Sequence, residues 1–157
     1  MSGYDTDTVT RIETNLDDVT AEILGAVMEK LFAAGALDVW FTPVQMKKNR
    51  PGVMLSALCG EETASRLADI IFAETTAFGL RVEKIQRLKL ARRFETVNTR
   101  HGDVTVKLGL KGDRILQIAP EFESCRAVAD KAGVTIREVH LAATEAARVA
   151  AGNRQGR

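Results

Sequence analysis

A cluster of four polar residues has the composition of a phosphate-binding site. Lys47, Lys48, Asn49 and Arg50 are consecutive in the stretch TPVQMKKNRPG. Lysine supplies a compact positive charge, and arginine supplies a planar fork of donors that matches two phosphate oxygens. Because Pro51 restricts the backbone directly after the cluster, we predict that these side chains are held in place to bind phosphate oxygens.

A second cluster, in the stretch ETNLDD, has the composition of a site for a hard divalent cation. It contains Glu13, Asn15, Asp17 and Asp18. One of the two aspartates can be explained as a helix cap, but two adjacent acids plus an amide exceed what a cap requires. Carboxylate oxygens hold magnesium when water and phosphate oxygens complete its shell. We therefore predict that Asp17 and Asp18 bind a divalent ion next to the phosphates.

Two further stretches supply weaker candidates. ETTAFGLR contributes Thr76 and Arg81, although threonines at this place also commonly cap the end of a helix. In PEFESC, Glu121 and Glu123 share a face if the chain is extended there, and Cys125 follows them. The alternative is structural, because Glu123 can begin a helix and Cys125 can be a small buried residue.

The elements that must position these residues are indicated by hydrophobic periodicity. A short alternating run from about residue 8 precedes a helix that ends at Gly35, and two alternating runs then flank the Lys47–Arg50 cluster as a hairpin. A second helix follows from Glu61 to about Thr76, and a further strand follows Gly79. This order predicts an α+β fold with a ferredoxin-like split β-α-β core, β-α-β-β-α-β, over residues 8–86.

The remaining residues, 87–152, are predicted to form a smaller subdomain within one compact unit. Val104, Val106, Leu108 and Leu110 alternate with polar residues and lead through KGD into RILQIAP, which indicates an added β-hairpin. Two C-terminal helices follow, and Thr135 and Glu138 stand at capping-box spacing before the second.

Composition excludes several classes of function. The net charge of +1 gives no reason to expect a general nucleic-acid or membrane binder. Cys59 and Cys125 fit no paired ligand spacing, no apolar run approaches the ~20 residues of a membrane helix, and the N-terminus lacks a signal-peptide core. We therefore expect a soluble cytoplasmic protein. With one Trp, one Tyr and six Phe, a sheet that stacks RNA bases is not expected either.

Four segments together resemble signature segments of a known family, the C-terminal domain of LarC nickel-insertion proteins. The resemblance covers most of residues 8–126, in the right order. The segments are ETNLDDVTAEILG, LFAAGALDVWFTPVQMKKNRPG, IIFAETTAFGLR and PEFESC.

The resemblance implies a CTP-dependent nickel chelatase, or cyclometallase, of the lyase class. It would install nickel in pyridinium-3,5-bisthiocarboxylic acid mononucleotide while CTP is hydrolysed, yielding the nickel-pincer cofactor of lactate racemase. It also implies a homo-oligomer. On matching positions, Lys47, Lys48, Asn49, Arg50, Thr76 and Arg81 would bind the nucleotide, with Lys48 and Arg50 as the catalytic pair, and Asp17 and Asp18 would bind Mg²⁺ or Mn²⁺. Glu121, Glu123 and Cys125 would be candidates for the substrate or nickel.

One departure from the family leaves an alternative open. Family members usually carry a large domain ahead of this one, and here the first motif follows within a few residues of the start. Two explanations are open: the chain is an excised or separately encoded domain, or it works with a separate N-terminal domain chain as its partner. The alternative is a non-catalytic ferredoxin-like module that senses a nucleotide or mediates oligomerisation.

Overall fold

The computed structural model describes residues 3–155 and divides them into two units. One comprises Thr6–Arg87 and is called the ferredoxin-like unit below. The other takes residues 3–5 together with 88–155 and is called the C-terminal unit. In the part of the chain thus described, no helix combines the length and apolar character needed to cross a membrane.

The ferredoxin-like unit has the predicted order of elements. They are β1 (Asp5–Leu16), α1 (Ala21–Ala33), β2 (Asp38–Met46), β3 (Arg50–Cys59), α2 (Ala64–Glu74) and β4 (Arg81–Lys89). The four strands form one sheet in the order β2-β3-β1-β4, in which β3 is antiparallel to both β2 and β1. The predicted split β-α-β fold class is therefore confirmed.

One face of this sheet packs against both helices. Every second side chain of β1 and β3 is buried there, including Ile12 and Leu55, neither of which is exposed at all. They meet the apolar stripe of α1, which includes Val27 and Leu31, and Ile71 of α2. The intervening residues of the strands must then lie on the opposite face, which carries the polar side chains of the candidate site.

The ends of α1 follow the sequence signals. The Thr20 hydroxyl accepts a hydrogen bond from the backbone N–H of Ile23 at 3.4 Å, so Thr20 is the N-cap. Gly35 follows the helix at a φ of 101°, a value that only glycine adopts readily. Since Thr20 caps the helix, neither Asp17 nor Asp18 is needed for capping.

The C-terminal unit contains a second sheet and two helices. Its elements are β5 (Ala91–Thr99), β6 (Gly102–Lys111), β7 (Arg114–Pro120), α3 (Phe122–Ala132) and α4 (Ile136–Gln155). The predicted hairpin of β6 and β7 is present, and β5 extends it to three strands in the order β5-β6-β7. The core joins Val104 and Val106 of β6 to Cys125 of α3 and Val139 of α4. The predicted capping box is also confirmed, since the Glu138 N–H donates to the Thr135 hydroxyl and the Thr135 N–H to the Glu138 carboxylate.

Candidate functional site

The pairing of β1 with β3 brings the acidic and basic clusters together. Leu16 at the end of β1 lies opposite Val53 near the start of β3, so the residues after β1 reach the tip of the β2–β3 hairpin. There, Nη1 of Arg50 donates a hydrogen bond to Oδ2 of Asp17 at 3.1 Å. The acidic stretch after β1 and the basic hairpin tip therefore share one surface.

Gly52 permits this close approach. A Cβ atom at this position would lie 2.7 Å from the carbonyl oxygen of Leu16, a distance that packed atoms do not tolerate. Gly52 is already part of β3 and pairs with Val44, so the turn lies earlier than the Pro-Gly dipeptide. Pro51 is tolerated because it stands at the beginning of the strand.

The turn itself is a short 3-10 segment, Lys47–Asn49, with two residues in the left-handed region. Lys48 has a φ of 59° and Asn49 a φ of 56°. Asparagine adopts this region readily, and the side-chain amide of Gln45 donates to that of Asn49 at 3.0 Å. Lysine has no such preference, so Lys48 is held in a conformation that costs free energy.

Lys47 and Lys48 are exposed, and neither forms a hydrogen bond or ion pair with any residue that the structure describes. Two positive charges are therefore available at the hairpin tip beside Arg50. This arrangement suits an anion with several oxygens.

Asp18 has a partner from the loop after α2. The Thr76 hydroxyl donates to Oδ1 of Asp18, which joins the ETTAFGLR stretch to the same cluster. The neighbouring Thr75 closes α2 instead, because its hydroxyl donates to the carbonyl of Ile71 at 2.6 Å. The capping alternative thus applies to Thr75, and Thr76 is free to contact the acidic cluster.

The two aspartates fit a divalent cation that takes most of its ligands from elsewhere. Both present hard carboxylate oxygens, and the Asp17 side chain is only 19% exposed. Across residues 3–155, however, no three His, Cys, Asp or Glu side chains come together as a metal site. Magnesium is commonly held by one or two carboxylates plus phosphate oxygens and water, and the pair Asp17 and Asp18 meets that requirement.

A largely buried carboxylate beside this cluster, that of Glu13, belongs to the predicted acidic stretch but was not assigned a role at the site. The side chain of Glu13 is 13% exposed and lies near two guanidinium groups, 3.4 Å from Nε of Arg11 and 3.8 Å from Nε of Arg81. It also accepts a hydrogen bond from the buried hydroxyl of Ser56 at 3.1 Å. The sequence signal was the alternation along β1, which places charged residues opposite the core face.

Arg81, a predicted site residue, is positioned by this network. Its Nη2 donates to Oδ1 of Asn15 at 2.7 Å, and its side chain remains 51% exposed. Asn15 and Glu13 hold the guanidinium from one side, so its remaining donors are open to a ligand.

The third set of predicted residues lies in the C-terminal unit. Glu121 pairs with Lys107 at 3.1 Å, and Glu123 pairs with Arg126 one helical turn later. Glu123 lies in the first turn of α3, so the extended arrangement in which it shares a face with Glu121 is absent. Cys125 is fully buried, and burial raises the pKa of its thiol. A thiol of this kind favours the structural alternative over a nickel ligand.

Comparison with known proteins identifies the family. The family model described as "Nickel insertion protein" matches residues 1–140. A putative nickel insertion protein of Syntrophotalea carbinolica is 46% identical over 91% of this chain. A pyridinium-3,5-bisthiocarboxylic acid mononucleotide nickel insertion protein of Clostridium acetobutylicum is 44% identical over 83% of it. The chain covers 36% and 31% of these two relatives, about a third of their length.

Solved structures agree with the sequence comparison. The apo form of LarC2, the C-terminal domain of a cyclometallase involved in the synthesis of the NPN cofactor of lactate racemase, matches with a TM-score of 0.85 and 42% identity. The match covers 92% of this chain and 99% of LarC2. A protein of Methanopyrus kandleri matches with a TM-score of 0.69 and 29% identity, covering 96% of this chain and 93% of its own. This chain therefore belongs to the nickel insertion protein family, and it is similar along nearly its whole length to the C-terminal domain of LarC.

Proposed function

We propose that this chain binds CTP together with Mg²⁺ or Mn²⁺ for a nickel-inserting cyclometallase. The substrates are nickel and pyridinium-3,5-bisthiocarboxylic acid mononucleotide, and the product is the nickel-pincer cofactor of lactate racemase. The observation that carries the proposal is the contact between Asp17 and Arg50. It brings a pair of acidic residues and a cluster of free cations to one surface, as a metal-bound triphosphate requires.

Each group has a distinct role in the proposal. Lys47, Lys48, Asn49 and Arg50 bind the phosphates, and Lys48 and Arg50 stabilise the negative charge that develops when water cleaves a phosphoanhydride bond. Thr76 and Arg81 contact the same ligand from the side of β4. Asp17 and Asp18 hold the divalent cation, which supplies charge neutralisation to the phosphate oxygens when bound.

Nickel insertion requires more of the protein than the nucleotide site. Glu121 and Glu123 are our candidates in this chain for contact with the pyridinium substrate or with nickel, since both are exposed or half-buried carboxylates. This chain covers only about a third of the length of the curated relatives. We therefore propose that a further domain completes the reaction and that the chain acts as a homo-oligomer.

The test separates binding from turnover. The protein is titrated with CTP in the presence of Mn²⁺ by calorimetry, and the mixture is then incubated and its nucleotides are separated by chromatography. We expect binding, followed by loss of CTP. CTP that is bound and returned intact would favour the alternative, a nucleotide-sensing module, and the absence of binding would contradict both.

Matched aspartate variants test whether Asp17 and Asp18 bind the divalent cation. Asp17→Asn and Asp18→Asn should each raise the Mn²⁺ concentration needed for CTP binding by about tenfold, because each removes a carboxylate ligand. Asp69→Asn, an exposed aspartate of α2, is the control and should leave the requirement unchanged. If all three variants need the same Mn²⁺ concentration for CTP binding, Asp17 and Asp18 do not bind the cation.

A further inference from the structure

Phe78 is fully exposed to solvent, which is unusual for a phenylalanine. Its relative exposure is 103%, whereas no other large apolar side chain in the described residues exceeds 59%. An exposed aromatic ring of this size forgoes the free energy that burial would supply, roughly 25 cal/mol per Å² of apolar surface. A single exposed apolar side chain is common on protein surfaces, but a fully exposed aromatic ring is available to contact a ligand.

The backbone around Phe78 is fixed on both sides. The N–H of Ala77 donates to the Thr75 hydroxyl at 3.2 Å, and the carbonyl of Gly79 accepts from the Thr14 hydroxyl at 2.9 Å. Ala77 and Leu80 pack against the core. The ring is thus presented by an anchored segment, and a ligand that covers it need not order the backbone first.

The segment also connects two groups of the candidate site. Thr76 donates to Asp18, and Arg81 donates to Asn15. Phe78 lies two residues after Thr76 and three before Arg81, so its Cα is within about 7 Å of one and 11 Å of the other. A ligand whose phosphates contact Thr76 and Arg81 can therefore reach the ring with its remaining part.

We propose that Phe78 is the stacking platform for the base of the nucleotide bound at this site. The inference rests on the proposed function and adds the residue that holds the base. Planar bases stack favourably on aromatic side chains, and the interaction tolerates every base because each has a π face. Phe78 therefore supplies affinity for the nucleoside part without selecting cytosine.

A second copy of the chain is the rival occupant of the ring, and the surroundings disfavour it. The exposed residues within three positions of Phe78 are Thr76, Gly79 and Arg81, none of which has an apolar side chain, and the next residue, Val82, is an exposed apolar one. A stable interface needs about 800 Å² on each partner, so Phe78 would lie in one only as a small part of a larger surface.

The experiment compares CTP with inorganic tripolyphosphate, each titrated by calorimetry in the presence of Mn²⁺. Phe78→Ala should weaken CTP binding about tenfold and leave tripolyphosphate binding unchanged, because only CTP has a base to stack. Phe78→Trp should retain CTP binding, whereas Phe78→Leu should lose it like the alanine variant. Phe94→Ala, which removes another exposed phenylalanine, is the matched control and should bind both ligands as the unchanged protein does.

The outcomes distinguish this inference from the proposed function. If Phe78→Ala binds CTP normally, or loses both ligands equally, base stacking on Phe78 is wrong while the phosphate site stands. If the unchanged protein binds neither ligand, the proposed function fails, and the stacking role fails with it. A lower mass of Phe78→Ala by light scattering would assign the ring to an interface between copies and would also overturn the inference.

Discussion

Nη1 of Arg50 lies 3.1 Å from Oδ2 of Asp17, although 33 positions separate the two residues in the sequence. The Arg50 side chain is 56% exposed, and ion pairs of this exposure stabilise a fold by about 0–1 kcal/mol. Because the pair is weak, Arg50 can exchange the carboxylate for a phosphate oxygen at little cost. The contact therefore positions the guanidinium for a ligand more than it holds the fold together.

Loss of either proposed catalytic cation should weaken nucleotide binding without unfolding the protein. Hydrogen bonds to charged groups contribute about 1.5–3 kcal/mol, so Lys48→Ala and Arg50→Ala should each raise the dissociation constant of CTP by about tenfold or more. The thermal midpoint should change little, because Lys48 has no described partner and Arg50 has one weak ion pair. Calorimetric titration and thermal melts measure the two effects.

Lys84→Ala is the matched control for this pair of variants. Lys84 is an exposed cation of the same unit, and it pairs with Glu61 rather than with the candidate site. Its loss should leave CTP binding unchanged. If Lys84→Ala weakens binding as much as Lys48→Ala does, the effect is one of general charge and not of the hairpin tip.

The strained conformation of Lys48 predicts that a lysine at this position contributes to ligand binding and lowers the stability of the fold. At a φ of 59° a residue with a Cβ costs roughly 1 kcal/mol more than glycine. Lys48→Gly should therefore be more stable to urea than Lys48→Ala by about 1 kcal/mol, while both lose affinity for CTP. Equal stability of the two variants would show that the left-handed turn carries no strain.

The sequence was sufficient to predict the meeting of the two clusters. In the split β-α-β order, β1 lies beside β3, so the residues after Leu16 had to reach the hairpin that precedes β3. Alternation of apolar residues in these strands specified both the sheet and its register, because one face is buried against two helices. The contact between Asp17 and Arg50 follows from that register.

Other features depend on information that periodicity does not contain. β5 was not assigned because its apolar residues are few and only Val97 and Thr99 of its side chains are buried, so its apolar alternation is too short to mark a strand. The contact of Asp18 with Thr76 links two loops that are 58 residues apart in the sequence. Hydrophobic periodicity predicts helices and strands and does not predict a contact between loops. The position of the turn at Lys47–Asn49 also depended on left-handed backbone angles, which Lys48 adopts against its preference.

Glu13 should stabilise the fold by accepting a hydrogen bond from the buried Ser56 hydroxyl and by its ion pair with Arg11. Its removal in Glu13→Ala would leave the buried Nε of Arg11, which has no hydrogen bond of its own, without its nearby carboxylate. The Ser56 hydroxyl would lose its acceptor as well. We expect a loss of about 2–3 kcal/mol in the free energy of unfolding, measured by urea denaturation.

Ser56→Ala separates the contribution of the Glu13 charge from that of the hydrogen bond between Ser56 and Glu13. It removes one neutral donor to Glu13 and leaves the guanidinium contacts in place. The free energy of unfolding should therefore fall by only about 1 kcal/mol. If Ser56→Ala is as damaging as Glu13→Ala, the ion pairs of Glu13 contribute nothing measurable.

The capping box of α4 should make part of the stability depend on pH. The pKa of Glu138 lies below its ordinary value of 4.5, first because the Thr135 N–H donates to it, then because of the Thr135 hydroxyl and the charges of His101 and Arg100. A lowered pKa in the folded state means that the carboxylate stabilises the fold above pH 4.5 and that this contribution disappears as the pH falls through the lowered value. Glu138→Gln should therefore melt below the unchanged protein at pH 7, and the two should converge as the pH falls through the lowered pKa of Glu138.

Thermal melts by circular dichroism between pH 3 and pH 7 measure this convergence. Glu145→Gln is the control on the same helix, because Glu145 is exposed and forms no hydrogen bond or ion pair within the described residues. Its melting temperature should follow that of the unchanged protein at every pH. A difference for Glu138→Gln that does not shrink as the pH falls below 4.5 would show that the glutamate acts through its shape or its uncharged hydrogen bonds and not through its charge.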